Sequence, residues 1–454
     1  MNTKMELRKI AEYQNSLLPR HEKRSEKAIS DIVDAAEVAF INSTYDFGNY
    51  TRMNLQQDDK QRIVMMYPPF SPEDILCVYL KRVLDRKFHI TYPNRNNYMR
   101  SVFDTVCALK DMSDFTIYKF DFSDFFNSVS SIYVYQKYIQ DKGLERFNAE
   151  LLKRFVYDTK YTYAGLNTSN ILCEIIAKEF DELLMQKLSK SGVILYKRYI
   201  DDGIVIFNRY ISKDDCLKNV NEAIKSIFYD SVEANIPSCK TKVNSSKSAY
   251  ISRRLMTVGL YSFDFLGYEF EMSNKVVDGN EKITIRYGIT QKKIDKYSKR
   301  IADIVKDYAT DPNNNMELLR HQVKAFTHRS VYRINRYKST LWKSKGFISN
   351  YAELRYRMDY LTPQTERFLK TVVYKAFSDN GVKMPYFLKG TADESVYSLY
   401  NNMKEYRTLL FVEKIGISKE TLQKMCAQVG VNNSTDKEYD GLVRDYLIKV
   451  KVGH

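Results

Sequence analysis

The sequence predicts an α+β protein, an antiparallel sheet with helices on one face through about residue 288, followed by an all-helical C-terminal domain. Three observations carry that prediction. Segment 194–207 reads as a short apolar hairpin with two acids at its tip, and segment 118–126 as a second strand that carries Asp121 and Asp124. Between 88 and 270, strand-like runs alternate with helix-like ones, as in a sheet covered by helices. From 290 onward the period changes to three and four, with Ile294, Tyr297, Ile301, Ile304 and Tyr308 forming the stripe of an amphipathic helix.

Taken in order, residues 1–60 are polar and helix-prone, with Ile29, Ile32, Val33, Ala36 and Val38 at roughly helical spacing. Pro68-Pro69 marks a turn, after which Ser71 is the expected N-cap of a helix and Pro72 its first residue. A strand ending at Asp121 follows, then helices near 131–156 and 168–190, a hairpin carrying Asp201, a helix near 213–228 and a further strand pair. A strand from Tyr268 to about Met272 and its return over 282–287 flank a turn at Asp278-Gly279-Asn280. Helical patterns then run toward 450, with 311–315 the best linker. The expected divisions are 1–110, 111–288 and 289–454.

The chain has 454 residues, enough for two or three subdomains, and 44% of them are hydrophobic. Its formal net charge of +15 favours a polyanionic partner, although a merely basic surface carries the same charge. Six cysteines include no C-x-x-C pair and no histidines at zinc spacing, so reduced core thiols are expected. The N-terminus has no apolar leader, and no uninterrupted apolar run reaches the roughly 18 residues a membrane span needs. A cytoplasmic location without membrane association is the expectation. The 36 tyrosines reflect either biased composition or rings available to stack on bases.

The most informative residues are Asp201 and Asp202, adjacent acids at the tip of an apolar hairpin, with Asp121 ending a second strand upstream. Neighbouring carboxylates repel and resist desolvation, so this pattern calls for a divalent cation. Two magnesium ions about 3.5–4 Å apart, with manganese as the alternative ion, stabilise the entering and leaving oxygens of nucleotidyl transfer and take oxygen ligands.

The order of the motifs resembles the reverse transcriptases. The segments are Asp121, Gly165-Leu166, Tyr199-Ile200-Asp201-Asp202, Lys240-Thr241-Lys242 and Phe265-Leu266-Gly267-Tyr268, covering roughly 75–275. The resemblance implies right-hand polymerase fingers in 1–110, a palm in 111–288 and a thumb-like 289–454. It implies that Asp121 and Asp201 hold the metals with the Phe122 carbonyl, that Asp202 completes the cluster, and that Phe265–Tyr268 grip the primer. Phe126 is either the aromatic that excludes a 2′-hydroxyl or a plain core residue, and Tyr199 either lines the primer or packs in the palm. Lys240 is either the lysine near the leaving pyrophosphate or a solvated charge. Arg95 and Arg100 are the candidates for the triphosphate, and Asp124 has a structural role.

One departure stands out. Where related enzymes read Gly-x-Pro-Gln-Gly, this chain has Gly165-Leu166-Asn167-Thr168-Ser169, so Gly165 and Thr168 are the substrate-contact candidates in an altered loop. The chain thereby looks more like the bacterial reverse transcriptases of antiphage and abortive-infection systems. That likeness implies RNA-directed DNA synthesis from deoxynucleoside triphosphates, an RNA template that includes a structured noncoding RNA, a DNA product, and a partner protein or second copy. Template-independent or protein-primed synthesis, a retron or intron enzyme, and a non-enzymatic RNA-binding scaffold are the alternatives. In the C-terminal half, Arg329, Arg333, Arg336 and Lys338 interleave with aromatics, either as a single-stranded nucleic-acid surface or as a solvated helix face.

Overall fold

The computed structural model describes residues 3–18, 22–57, 60–229, 237–277, 280–311, 315–336, 339–389, 396–432, 434–435 and 437–451. The chain divides after Met256 into two compact units. The strands from Gly259 onward therefore belong with the second unit, a division that falls inside the 111–288 segment expected from the sequence.

In the first unit, α1 (Thr3–Leu17) and α2 (Glu26–Asn42) lead into an antiparallel hairpin of β1 (Thr51–Gln57) and β2 (Lys60–Met66). The sequence reading missed this hairpin, because its residues are mostly polar and long-range contacts decide their state. One such contact is the bond from Met65 N to Ala164 O, 2.8 Å. Helix α3 (Pro72–Lys87) starts as expected: Ser71 Oγ accepts from Asp74 N, Pro72 opens the helix, Glu73 and Asp74 sit in the first turn, and Arg86 and Lys87 in the last. Then come α4 (Arg95–Ala108), β3 (Thr116–Asp121), α5 (Phe125–Ser128), α6 (Ser131–Val134) and α7 (Arg146–Thr159). The single helix expected over 131–156 is thus broken, with Gly143 at φ +65° inside the break. The remainder is α8 (Asn167–Lys187), β4 (Val193–Tyr199), β5 (Asp202–Phe207), α9 (Lys213–Phe228) and β6 (Ala249–Ser252).

The four strands form an antiparallel sheet in the order β4-β5-β3-β6. Strand β3 is interior and buried throughout, its polar residues Thr116, Lys119 and Asp121 included. Alternation sends Tyr118 and Phe120 into the main core, where Phe120 meets Phe180 of α8 at 6.1 Å between ring centres. Phe122, just beyond the strand, meets Phe180 at 5.2 Å and Phe228 of α9 at 6.1 Å. Each such ring contributes roughly 1.5–3 kcal/mol by burial. Lys119 and Asp121 alternate with these aromatics.

The second unit begins with an antiparallel sheet of β7 (Gly259–Phe265), β8 (Tyr268–Val277) and β9 (Asn280–Ile289) in that order. The turn residues 278 and 279 lie outside the described residues, as do 312–314 of the expected linker. Helix α10 (Gln291–Thr310) follows the predicted stripe, with Ile294, Tyr297, Ile301 and Ile304 buried and Tyr308 half-buried, and α11 (Met316–Thr327) comes after it.

The expectation of an all-helical C-terminal domain is corrected here. Strands β10 (Arg329–Arg336) and β11 (Ser339–Lys345) form a hairpin, and β12 (Thr408–Phe411) pairs with β10 in parallel. The reason is local alternation: Ser330 and Tyr332 take one side of the pleat and Val331 and Arg333 the other, a period that basic residues concealed. Helices α12 (Phe347–Asn350), α13 (Pro363–Asp379), α14 (Leu399–Lys404), α15 (Lys419–Gln428) and α16 (Tyr439–Lys449) follow, with a tighter helical segment over Ala352–Tyr360 between α12 and α13.

Gly203, which faces Phe120 across the β3–β5 pair, has no room for a side chain. A Cβ there would stand 2.3 Å from Phe120 Cζ, and that ring is fully buried. Gly203→Ala is therefore expected to cost about 1–3 kcal/mol, the scale of core overpacking. A urea-unfolding midpoint equal to wild type would show that the ring yields freely.

Candidate active site

The site is built by register. Asp121 closes β3, Asp202 opens β5, and the two are directly paired across the strands. Asp202 also pairs with Tyr199 of β4, so Ile200 and Asp201 form a two-residue turn at the hairpin tip. Ile200 has φ +59°, a left-handed conformation that β-branched residues rarely adopt. Phe122 N donates to Asp201 O at 3.0 Å, tying this turn to the chain leaving β3.

A buried arginine braces the turn from the other side. Arg198 Nη1 donates to Ile200 O at 2.8 Å. Its Nε and Nη2 grip Asp181 of α8 at 2.8 and 3.0 Å, and Nη2 also reaches Glu174 at 3.0 Å. Tyr196 donates its hydroxyl to the same Asp181 at 2.5 Å. The tip carrying Asp201 is thus fastened to the long helix by charge-assisted bonds in a nearly dry setting, where such bonds are strongest.

A third segment runs beside the acids. Lys240 N donates to Ser128 O, Ser123 N to Lys242 O, and Asn244 N to Asp121 O at 2.7 Å. The short helical turn Ser245–Lys247 then brings Lys247 Nζ onto the Asp121 carboxylate, 3.0 Å from Oδ1 and 2.9 Å from Oδ2. The Asp121 side chain is 2% exposed and that of Lys247 is 53% exposed. Burial works against the charge on Lys247, but its bonds to Asp121 and the field of Asp201 and Asp202 outweigh it, holding the amine above the ordinary lysine range.

The acids strain one another. Burial, followed by the charges of Asp201 and Asp121, pushes the Asp202 carboxyl up to about 7, against the opposing pull of Lys119 and Lys247. Lys119 is buried on β3 two residues before Asp121, hence on the same side of the strand. The donor set, hard carboxylate oxygens in excess of nearby cations, has the chemistry that magnesium takes, and an ammonium stands where a cation belongs. The carboxylates do not form a closed cage as they stand: among the described residues, no three His, Cys, Asp or Glu side chains are arranged to hold an ion.

The other sequence candidates fall in different places. Phe122 is buried in the aromatic core, and Phe126 is half-buried beside it. Tyr199 is half-buried beside the tip. Asp124 sits at φ +47°, exposed, and accepts from Asn127 Nδ2 at 2.7 Å, a local structural role. Lys240 is exposed and stands over the Tyr161 ring at 4.9 Å, so the lysine paired with an acid is Lys247 instead. Gly165, at φ +105°, lets the β2 backbone approach, since a Cβ would lie 2.4 Å from Met65 O.

Thr168 is fully buried, its hydroxyl donating to Cys77 O at 2.7 Å, and Ser169 is buried too. The expected substrate contact at Thr168 is corrected accordingly: its side chain ties α8 to α3. Arg95 and Arg100 both lie on α4.

In the second unit, Phe265 and Tyr268 pair across a tight turn in which Leu266 and Gly267 have φ +49° and +81°. Both flanking aromatics are fully buried. Arg329 lies over Tyr406 at 4.6 Å, and Arg333 over the exposed Trp342 at 4.7 Å. The Arg336 side chain and all of Lys338 lie outside the described residues.

No protein-family model matches the chain, and no curated protein matches it. Among solved structures it is similar to a telomerase from Candida albicans in complex with a fragment of telomeric RNA. The identity is 11% and the TM-score 0.35, with 88% of this chain and 60% of the telomerase chain covered. Among the described residues, no helix is long and apolar enough to cross a membrane.

Two outcomes follow from this geometry. Arg198→Gln leaves Asp181 and Glu174 without their shared cation and frees the Ile200 carbonyl, so a loss of about 3–5 kcal/mol in unfolding free energy is expected, read by chemical denaturation. The second concerns pH. Folded Asp202 keeps its proton to about 7 while its ordinary value is 3.8, so with divalent ions chelated its contribution to stability falls as pH rises between those values. Asp202→Asn should flatten that fall and melt higher than wild type at pH 8; identical melting-versus-pH curves would remove the strain argument.

Proposed function

We propose that this protein is a nucleotidyltransferase of the reverse-transcriptase type, extending a 3′-hydroxyl with deoxynucleotides. The observation that supports it most is the in-register facing of Asp121 and Asp202, with Asp201 beside them on a braced hairpin tip. When bound, magnesium supplies the positive charge that stabilises the entering oxygen and the departing pyrophosphate. Asp121, Asp201 and Asp202 would hold it, with the Phe122 carbonyl as a further oxygen donor.

The chain's own residues then have distinct tasks. Arg198 fixes the turn so that Asp201 cannot drift, and Lys119 offsets part of the negative charge gathered at the strand ends. Phe126 would exclude a 2′-hydroxyl by bulk, and the tight Leu266-Gly267 turn would hold the primer end. Lys240, Arg95 and Arg100 are assigned to the triphosphate. The basic and aromatic residues of β10 and β11 would accept the backbone of an RNA template, since cations meet phosphates and flat rings meet bases. The setting proposed is bacterial antiphage defence, in the cytoplasm, with a structured noncoding RNA as template.

Primer extension on an RNA template with deoxynucleoside triphosphates and magnesium tests this. Wild type is expected to extend the primer, whereas Asp201→Ala and Asp202→Ala fall below detection while retaining the wild-type circular dichroism spectrum, because both remove repulsion from a hairpin tip. Undiminished incorporation by the double variant would overturn the assignment. Sequencing the product separates templated synthesis, which returns the RNA complement, from untemplated addition.

A further inference from the structure

We propose that Lys247 is an internal counter-cation that occupies the Asp121 carboxylate until a divalent ion displaces it, so that ion binding and release of this side chain are one coupled event. The inference rests on the polymerase reading of the site and names a residue that reading does not assign.

Three observations carry it. Asp121 is almost fully buried, and a buried carboxylate without a partner costs several kcal/mol, so an empty site needs a cation of its own. The Lys247 ammonium meets both carboxylate oxygens, at 3.0 and 2.9 Å, and an ion shared between Asp121 and Asp202 would have to approach those same oxygens against its charge. The side chain of Lys247 is half exposed on a four-carbon stem, so it can rotate into water. Lys119, by contrast, is buried within the central strand and has no such exit.

The backbone around Lys247 does not have to move with it. Asn244 N holds Asp121 O at 2.7 Å, and Ser248 Oγ donates to Asn244 O at 3.0 Å. The segment is anchored and only the side chain exchanges. Wild type therefore binds its ion more weakly than the carboxylates alone would, because each binding event also breaks an ion pair. In return, the empty site avoids an uncompensated charge beside the core.

The test uses the full chain without nucleotide or nucleic acid. Lys247→Met should bind Mn²⁺ about tenfold more tightly than wild type, measured by loss of the free-ion electron paramagnetic resonance signal, and should melt lower than wild type in chelator with the gap closing as Mn²⁺ is added. Lys225→Met, on the exposed side of α9, should match wild type in both. On wild-type protein, acetylation of Lys247 followed by mass spectrometry should rise several-fold on adding Mg²⁺, a readout that does not depend on the variant folding. Equal or weaker Mn²⁺ binding by Lys247→Met, or acetylation that ignores Mg²⁺, overturns this proposal alone. Absence of Mn²⁺ binding by wild type and Lys247→Met alike overturns the metal-dependent polymerase reading together with it.

Discussion

The constraint on which the first unit depends is a like-charge contact placed by strand register. Asp121 and Asp202 face one another because β3 and β5 pair from Thr116 and Phe207 down to their ends, with no freedom to slip by one residue. A slip would turn Phe120 out of the aromatic core and Asp121 into it. The apolar rings of Phe120, Phe122, Phe180 and Phe228 therefore do more than stabilise: they hold two repelling carboxylates at a fixed place. Gly203 belongs to the same device, since its missing side chain lets Phe120 lie across β5 at the residue next to Asp202.

Repulsion and strain at the tip are then offset by three basic residues with different reach. Arg198 acts through the backbone, bonding the Ile200 carbonyl while fixed to Asp181 and Glu174. An isoleucine in the left-handed region costs on the order of 1 kcal/mol, and such a conformation persists only where its surroundings overdetermine it. Lys119 acts through space, lowering the proton affinity of Asp202 from within the central strand. Lys247 acts by direct contact with Asp121. Of the three, only Lys247 reaches solvent appreciably, which separates the fixed part of the electrostatic frame from the part able to exchange.

Much of this frame was legible in the sequence, and what was not has physical reasons. The strand ending at Asp121, the Asp201 hairpin, the long helix α8 and the helix over 213–228 follow from local periodicity and capping, as with Ser212, whose hydroxyl accepts from Asp215 N. Lys119 could have been found, because it sits two residues from Asp121 on an alternating strand. Arg198 also had a signal: a charge inside an apolar hairpin must find partners. Lys247 had none, since its meeting with Asp121 depends on backbone pairing between segments far apart in the chain. Thr168 misled for the converse reason. Its place in a recognised loop suggested a substrate contact, whereas helix-to-helix packing claims its hydroxyl.

The strands of the second unit show how charge can hide a period and still shape a surface. On β10 and β11, Arg333 and Trp342 are direct cross-strand partners, so the stacking of guanidinium on indole is a product of register as much as of composition. Cation–π contact differs from an ion pair in one consequential way: it positions the cation without neutralising it. Arg329 over Tyr406 and Arg355 over Tyr406 at 3.8 Å follow the same rule, one ring ordering two positive groups. A chain with 71 basic and 56 acidic residues can in this way hold its arginines in place while leaving their charge uncancelled. Ordered cations beside an exposed aromatic are the feature on which the proposed contact with a phosphate backbone and unstacked bases rests.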